Sequence, residues 1–265
     1  KTKYRIDFDT VNIDFYTIFL SYLNDEGYSK NTRSKHISNL KYFMNEARKR
    51  KHHASLDYKD FKAPKERIEN IYLNDSEIET IYNLDLTLNP RLEKVRDLFL
   101  IGCYTGLRFS DYSQIQSSNI AGNILSIKTQ KTGKYVKIPL RPEAIEIIKK
   151  YNGNAPPPIS NAKMNQYLKE IAFKAGINEP ELKYKSKGLI TVKQTFRKDQ
   201  LVCTHTARRS FATNCYKAGL SAKSIMMITG HTTEKEFFKY IQIDETENAE
   251  ILLNHAYFMP KMKVV

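Results

Sequence analysis

Cysteine is scarce in this 265-residue chain. Cys103, Cys203 and Cys215 are an odd set with no CxxC pair and no Cys/His cluster, so neither a disulfide framework nor a zinc site is expected. No Asp/Glu cluster has metal-ligand spacing, so neither a metal nor another cofactor is expected. No apolar run approaches the ~20 residues of a membrane span, and no amphipathic basic helix stands out as a membrane anchor. No signal peptide is read, which makes a reducing cytoplasm the expected setting. Solenoid repeats and low-complexity tracts are also missing. Acidic residues are the other shortage: 29 Asp plus Glu face 43 Lys plus Arg, giving net +14 and a pI near 9.5. Mildly basic proteins use such charge for solubility. An excess of this size favours a polyanionic partner, nucleic acid before membrane, and hence a nucleoid-associated protein. Hydrophobic residues at 41% and aromatics at 11% are enough for real cores, which excludes a disordered tail.

Periodicity divides the chain. In "DFYTIFLSYLNDEGYS", Phe15, Ile18, Phe19 and Tyr22 recur at helical spacing, and Gly27 marks a stop. "SKNTRSKHISNLKYFMNEARKRK" repeats the pattern with Ile37, Leu40, Phe43 and Met44, starting near Ser29 or Asn31. Its opposite face carries Arg33, Lys35, Lys41, Arg48, Lys49 and Arg50. Residues 1–61 are therefore expected to form a helical domain, 62–71 a linker around Pro64, and 72–265 a second domain. That domain opens with a capping signature at Asn74 or Asp75 and continues into an apolar helix ending near Gly106. "NILSIKTQ" and "KYVKIPL" read as strands around a turn containing Gly133, and Pro142 opens the next helix. "GLITVKQT" and "QLVCTH" suggest a second strand pair around "FRKD". From Thr206 the chain reads as helix to Tyr257, broken at Gly219 and Gly230. The expected fold is mainly α with small β-hairpins, in two domains. Residues 128–150 carry net +5 and residues 183–209 net +7, so both hairpin regions border a basic surface.

Four stretches carry candidate chemistry: "TGLRFSD" with Arg108, "KTGK" with Lys131, "HTARRS" with His205 and Arg208, and Gly230-His231 followed by Tyr240. Singly, each has an ordinary reading. Arg108 could pair with Asp111, Lys131 could be a turn lysine, His205 and Arg208 could cap or pair on one helix face, and a buried Tyr240 could be core. Together they are what a metal-free attack on a phosphodiester needs. Guanidiniums clamp the non-bridging oxygens, and a lysine or histidine supplies the leaving oxygen's proton. The tyrosine hydroxyl attacks to form a covalent phosphoester. Its ordinary pKa of about 10 requires help from neighbouring cations.

On these motifs the chain resembles the tyrosine recombinases, or phage integrase family. "TGLRFSD" looks like the family's first arginine motif. "HTARRSFATNCYKAGLSAKSIMMITGH" resembles its His-x-x-Arg helix through to the second histidine, and "HTTEKEFFKY" its nucleophile segment. Lys131, eight residues before Pro139, stands where the family's hairpin lysine lies. The resemblance implies a helical core-binding (SAM-like) domain before an α+β catalytic domain, the two forming a C-shaped clamp on duplex DNA. It implies that Arg108 and Arg208 bind the scissile phosphate and that Lys131 protonates the leaving 5′ oxygen. His205 would be the acid/base near the nucleophile, His231 would hydrogen-bond the phosphate, and Tyr240 would form a 3′-phosphotyrosine. Asp111 replaces the family's more usual Glu beside Arg108. DNA contacts are expected from Arg33, Lys35, Lys41, Lys128, Lys134, Lys193, Arg197 and Lys198.

Further expectations follow from the same resemblance. Four protomers would act on two DNA sites, with accessory DNA-bending or directionality proteins. "ETENAEILLNHAYF", with Ile251, Leu252, Leu253, Tyr257 and Phe258, would be passed to a neighbour or fold back on its own core. The chain opens "KTKYRIDF" without methionine, so processing or a missing N-terminal part is expected, and an arm-binding domain would fit there. "HTARRSFATN" and "TGLRFSD" look most like integrases of mobile elements. A chromosome-dimer resolvase or DNA invertase would share the motifs. A type IB topoisomerase is opposed by the small helical first domain, and a non-catalytic DNA-binding protein by the complete residue set.

Overall fold

The computed structural model describes residues 6–66, 70–243, 245–253 and 257–258. They fall into two compact units, one of Lys1–Glu69 with Glu181–Phe196 and one of Asn70–Pro180 with Arg197–Val265. The first unit is built on α1 (Ile13–Asp25) and α2 (Lys30–Lys49). Asn12 caps α1 and Ser29 caps α2, each side chain accepting the N–H three residues on. Gly27, in the left-handed region at φ +71°, turns the chain between them. The buried stripe of α1 runs through Phe15 and Leu23 with Phe19 packed alongside, at i, i+4 and i+8. Ile18 and Tyr22, expected on that face, are exposed, as is Phe43 of α2. The expected linker starts inside this unit. Phe61 is buried, Ser34 donates to the Ala63 carbonyl, and Asn31 bonds both backbone groups of Glu66. Residues 67–69 of that segment lie outside the described residues.

In the second unit α3 (Asp75–Asn83) begins with the anticipated capping box, Asn74 and Glu77 satisfying each other's backbone N–H groups. α4 (Pro90–Thr105) is buried almost all round, with Leu98, Phe99, Leu100 and Ile101 at or below 1% exposure, and is the central helix. It packs against α8 (Thr204–Lys217) so closely that a Cβ on Gly102 would lie 2.6 Å from Tyr112 and 3.1 Å from Ala207. α4 ends at Gly106 in the left-handed region at φ +65°, where a Cβ would lie 2.3 Å from Phe211. Only glycine fits there. The single turn α5 (Phe109–Tyr112) follows.

Strands β1 (Ile120–Ala121), β2 (Ile124–Lys128) and β3 (Tyr135–Pro139) form an antiparallel sheet with Leu125 opposite Ile138 and Ile127 opposite Val136, all facing the core. α6 (Pro142–Lys150) opens on proline as expected, and α7 (Asn161–Lys174) packs on α4. The chain then crosses into the first unit and returns as an antiparallel ribbon, β4 (Pro180–Lys187) and β5 (Ile190–Arg197). The expected second pair is corrected here: its turn is at Gly188 and Leu189, and "QLVCTH" is helical turn and α8 N-terminus. Its apolar Val202 is buried in the main core and is not part of a sheet.

After α8 come α9 (Ala222–Thr229), the one-turn α10 (Glu234–Phe237) and α11 (Glu245–Leu253). The continuous helix expected around Tyr240 is therefore absent. Tyr240 lies in the turn that follows α10.

Candidate active site

Arg108 directly follows the turn that Gly106 makes possible, and Arg208 projects from α8 opposite it. Arg208 is 1% exposed, and its Nη1 donates to the Gly106 carbonyl at 2.9 Å. The C-terminus of α4 thereby fixes the guanidinium. Its Nη2 lies 3.1 Å from His231 Nε2, and its Cζ lies 5.5 Å from the centre of the Tyr240 ring. His231 and Tyr240 meet with ring centres 4.8 Å apart. Among the described residues, the buried Nη1 of Arg108 and Nε of Arg208 have no partner. Leaving buried donors unpaired costs roughly 1–3 kcal/mol each, so two cations in this state form an anion receptor.

The electrostatics agree. Burial first, then Arg108, pulls Arg208 below its usual range, while Tyr240 and Asp111 oppose the shift. His231 is brought down to about 3 by desolvation, then by Arg208 and Arg108. His205, in the first turn of α8, is lowered by desolvation, then by Arg209, Arg208, Arg108 and Lys131. Both histidines are neutral at physiological pH. Arg208, His231 and Tyr240 thus meet directly, while Arg108, His205 and Lys131 are linked to them through their charges. Lys134 instead lines a groove of about 310 Å3 with Tyr135, Met226, Met227 and His231. A larger depression of about 670 Å3, lined by Gln114, Gln116, Asn119 and Gln130, includes none of the six.

Lys131 sits in the six-residue turn between β2 and β3. Thr129 closes this turn through its N–H to the Lys134 carbonyl and its carbonyl to the Gly133 N–H, both 2.8 Å. Asp111, 1% exposed, accepts from the Gln130 N–H at 2.9 Å. Among the described residues it makes no ion pair with Arg108, and its Oδ2 has no partner. The carboxylate thus ties the arginine segment to the lysine turn.

Tyr240 is half-buried and its backbone is clamped. Phe237 and Ile241 are buried with Ala212 and Ile225, as their apolar character suggested. Thr213 of α8, fully buried, donates to the Tyr240 carbonyl at 3.1 Å and accepts from the Gln242 N–H. Thr229 bonds His231 at 2.8 Å. Sequence reading passed over Thr213, Thr229 and the Gly106 carbonyl. A buried threonine at the end of the apolar helix "SIMMIT" was the available signal.

The eight expected DNA-contact residues divide. Lys35, Lys128, Lys134 and Lys193 are exposed. The other four have partners inside the protein for their charged groups, although half of the Arg197 side chain stays exposed. Arg33 is 6% exposed and donates to Asn24 and to the Gly188 carbonyl. Lys41 donates to the carbonyls of Lys59 and Phe61. Arg197 forms a two-pronged pair with Asp199, and Lys198 pairs with Glu77 at 2.5 Å. A run of positive charge does not reveal which acceptors the fold will bring to it.

No helix among the described residues is long and apolar enough to cross a membrane. Residues 72–247 match the phage integrase family and residues 1–64 the phage integrase SAM-like domain. A tyrosine recombinase of Thermosipho africanus (strain TCF52B) is 24% identical over 240 residues, spanning 85% of this chain and 76% of that protein. In fold the chain is similar to a lambda integrase dimer bound to a COC′ core site. That TM-score is 0.65 at 18% identity, covering 97% of this chain and 84% of the other. For the Tn1549 transposon integrase in complex with circular intermediate DNA the TM-score is 0.63 at 16% identity, covering 92% and 85%. With both of its segments matched and a paired-arginine site beside a tyrosine, the chain belongs to the phage integrase family, the tyrosine recombinases that cut and rejoin DNA strands.

Proposed function

We propose that this protein is the integrase of a mobile element, cleaving one strand at a time with Tyr240. The observation that carries this reading is the pair of guanidiniums with unpartnered buried N–H groups beside the Tyr240 ring. A phosphodiester supplies the acceptors those groups need, and charge developing on its non-bridging oxygens is stabilised by donors already in place. Tyr240 Oη attacks phosphorus, its proton passing to neutral His205. The bond to the 5′ oxygen breaks, and Lys131 protonates that oxygen. A 3′-phosphotyrosine and a free 5′ hydroxyl result. A 5′ hydroxyl from the partner strand reverses the step and rejoins the chain. Asp111 sets the position of Lys131 without touching DNA.

The partner is duplex DNA at recombination sites, with residues 1–61 as the core-binding domain and 72–265 as the catalytic domain. Four protomers assemble on two sites, as in the lambda integrase tetramer bound to a Holliday junction. The exposed Leu253, Tyr257 and Phe258 at and beyond α11 are suited to cover by a neighbouring protomer. Accessory bending or directionality proteins and a nucleoid location fit the same reading. The test is a nicked suicide substrate taken from the ends of the DNA element that carries the gene. The wild type should form a covalent adduct that survives denaturation, and Tyr240→Phe should bind equally well yet form none. An adduct with Tyr240→Phe would place the nucleophile elsewhere.

A further inference from the structure

The environment of His231 defines its protonation in a way that depends on one buried hydroxyl. α9 ends at Gly230, whose left-handed φ of +71° folds His231 back beside Thr229. Thr229 is 0% exposed, and its Oγ1 touches two groups, the Ile225 carbonyl at 2.8 Å and His231 Nδ1 at 2.8 Å. A hydroxyl has one proton. The carbonyl can only accept, so the proton goes to Ile225 O and Oγ1 presents a lone pair to the imidazole. Nδ1 must then carry hydrogen. The neighbouring guanidinium agrees with that assignment. Arg208 Nη2 lies 3.1 Å from Nε2 and 3.4 Å from Nδ1; with Nδ1 donating to Thr229, Nε2 is the nitrogen left to accept from a group that can only donate. The other tautomer would put an N–H on the nitrogen nearer Arg208 and leave Nδ1 bare against Thr229.

We propose that Thr229 is a positioning residue for recombination, holding His231 as the Nδ1–H tautomer with Nε2 as its working atom. The inference deepens the reading of His231 as part of the phosphate site. In the resting site Nε2 accepts from Arg208 Nη2 while the Gly106 carbonyl accepts from Nη1, so the guanidinium is held at two of its nitrogens. A phosphate oxygen, itself an acceptor, bonds Nε2 only once that atom carries a proton. With valine or leucine at 229, the buried Nδ1–H would lose its acceptor, and the ring would be free to turn or change tautomer.

Proton–nitrogen correlation spectra of histidine-labelled protein near neutral pH distinguish the two tautomers directly. The wild type should show His231 protonated at Nδ1 and bare at Nε2. Thr229→Ser keeps the hydroxyl and should keep that pattern and the cleavage rate. Thr229→Val should lose the pattern and slow single-turnover cleavage of a nicked duplex roughly 10–100-fold, with DNA affinity unchanged. A wild-type spectrum with the proton on Nε2 would overturn the proposal, even where the valine variant does not fold. So would a valine variant that retains the Nδ1–H pattern. The spectrum does not depend on cleavage. A correct tautomer in a protein that forms no adduct would uphold the role of Thr229 and count against the recombinase reading alone.

Discussion

Two β-hairpins interrupt the helices of this chain, both in basic stretches, and they put that charge to different uses. The β2–β3 hairpin is rooted in the core by Leu125, Val136 and Ile138, and its turn is held by Thr129 and by Asp111. A rigid base lets the turn deliver one lysine to a defined point. The β4–β5 ribbon buries little of its own: along its strands Leu182, Tyr184, Ile190 and Val192 are exposed. Its fixed point is the tip. The Gly188 N–H donates to the Tyr28 carbonyl, the Gly188 carbonyl accepts from Arg33, and Ser186 links the Lys30 N–H to the Glu66 carboxylate. Similar composition thus presents a candidate general acid in one hairpin and docks the other by its tip. What differs is where each hairpin is buried.

The strongest way to break this contrast is at Lys131. Lys131→Ala should slow cleavage by roughly 10²–10⁴-fold with little loss of binding, because the proton it supplies matters mainly in the transition state. A substrate with sulfur at the 5′ bridging position needs no proton and should restore cleavage. It should not rescue Arg108→Ala. Lys134→Ala, in the same turn, should act chiefly on binding. Rescue of Lys134→Ala instead would move the general acid to Lys134.

At the ribbon tip the largest effect should be on stability. Gly188 has φ +55°, and a Cβ there would lie 2.6 Å from the Asn24 carbonyl oxygen. Gly188→Ala should therefore cost roughly 1–3 kcal/mol, seen as faster amide exchange in α1 and α2 with little change around Tyr240. Unchanged exchange in those helices would mean that the tip does not hold them.

Acidification acts on the histidines of the site, since neither hairpin contains one itself; His231 lines a groove with Lys134 and Tyr135 at the β2–β3 hairpin. His231 titrates near 3 and His205 below its usual value in the folded protein, while histidines of the unfolded chain take up protons near ~6.5. Below that pH the unfolded state binds more protons, so stability is full above ~6.5 and declines as pH falls toward the folded value of His231. The Tm of DNA-free protein should drop from neutral pH toward pH ~5, and His231→Gln should flatten the slope. An equally steep slope in that variant would count against the assignment.

The smallest effect concerns charge alone. Lys193→Ala should lower the slope of log affinity against log salt by about 1, whereas Lys198→Ala should leave it unchanged because Lys198 already faces Glu77. Equal slopes would erase the distinction between exposed and committed lysines.

Where sequence reading worked, the physics was local. Asn74 with Glu77, Ser29, Gly106, Gly133 and Pro142 all act within a turn or two of themselves, so spacing reveals them. The six candidate residues stand out as a set because phosphodiester chemistry constrains residue types in combination. Arg33 was misread because its acceptor, Gly188, lies 155 positions away. The second ribbon was shifted because its strands are mostly polar and exposed, while the apolar "LVC" beside them belongs to a helical turn and the lead-in to α8. Tyr240 was put on a helix because Phe237 and Ile241 have helical spacing. The turn after α10 keeps that spacing without the helix.

Synthesis of this chain is affected by the division of its units. The first unit includes residues 181–196, which leave the ribosome only after residues 70–180 of the other unit have been made. Until then Arg33 lacks the Gly188 carbonyl, and the Tyr28 carbonyl lacks its N–H donor. During that interval α1 and α2 stand as an unfinished domain, with an arginine that is later buried still open to solvent. A pause in translation between 70 and 180 would prolong that exposure, so codon speed in this stretch bears on how much intact protein a cell obtains.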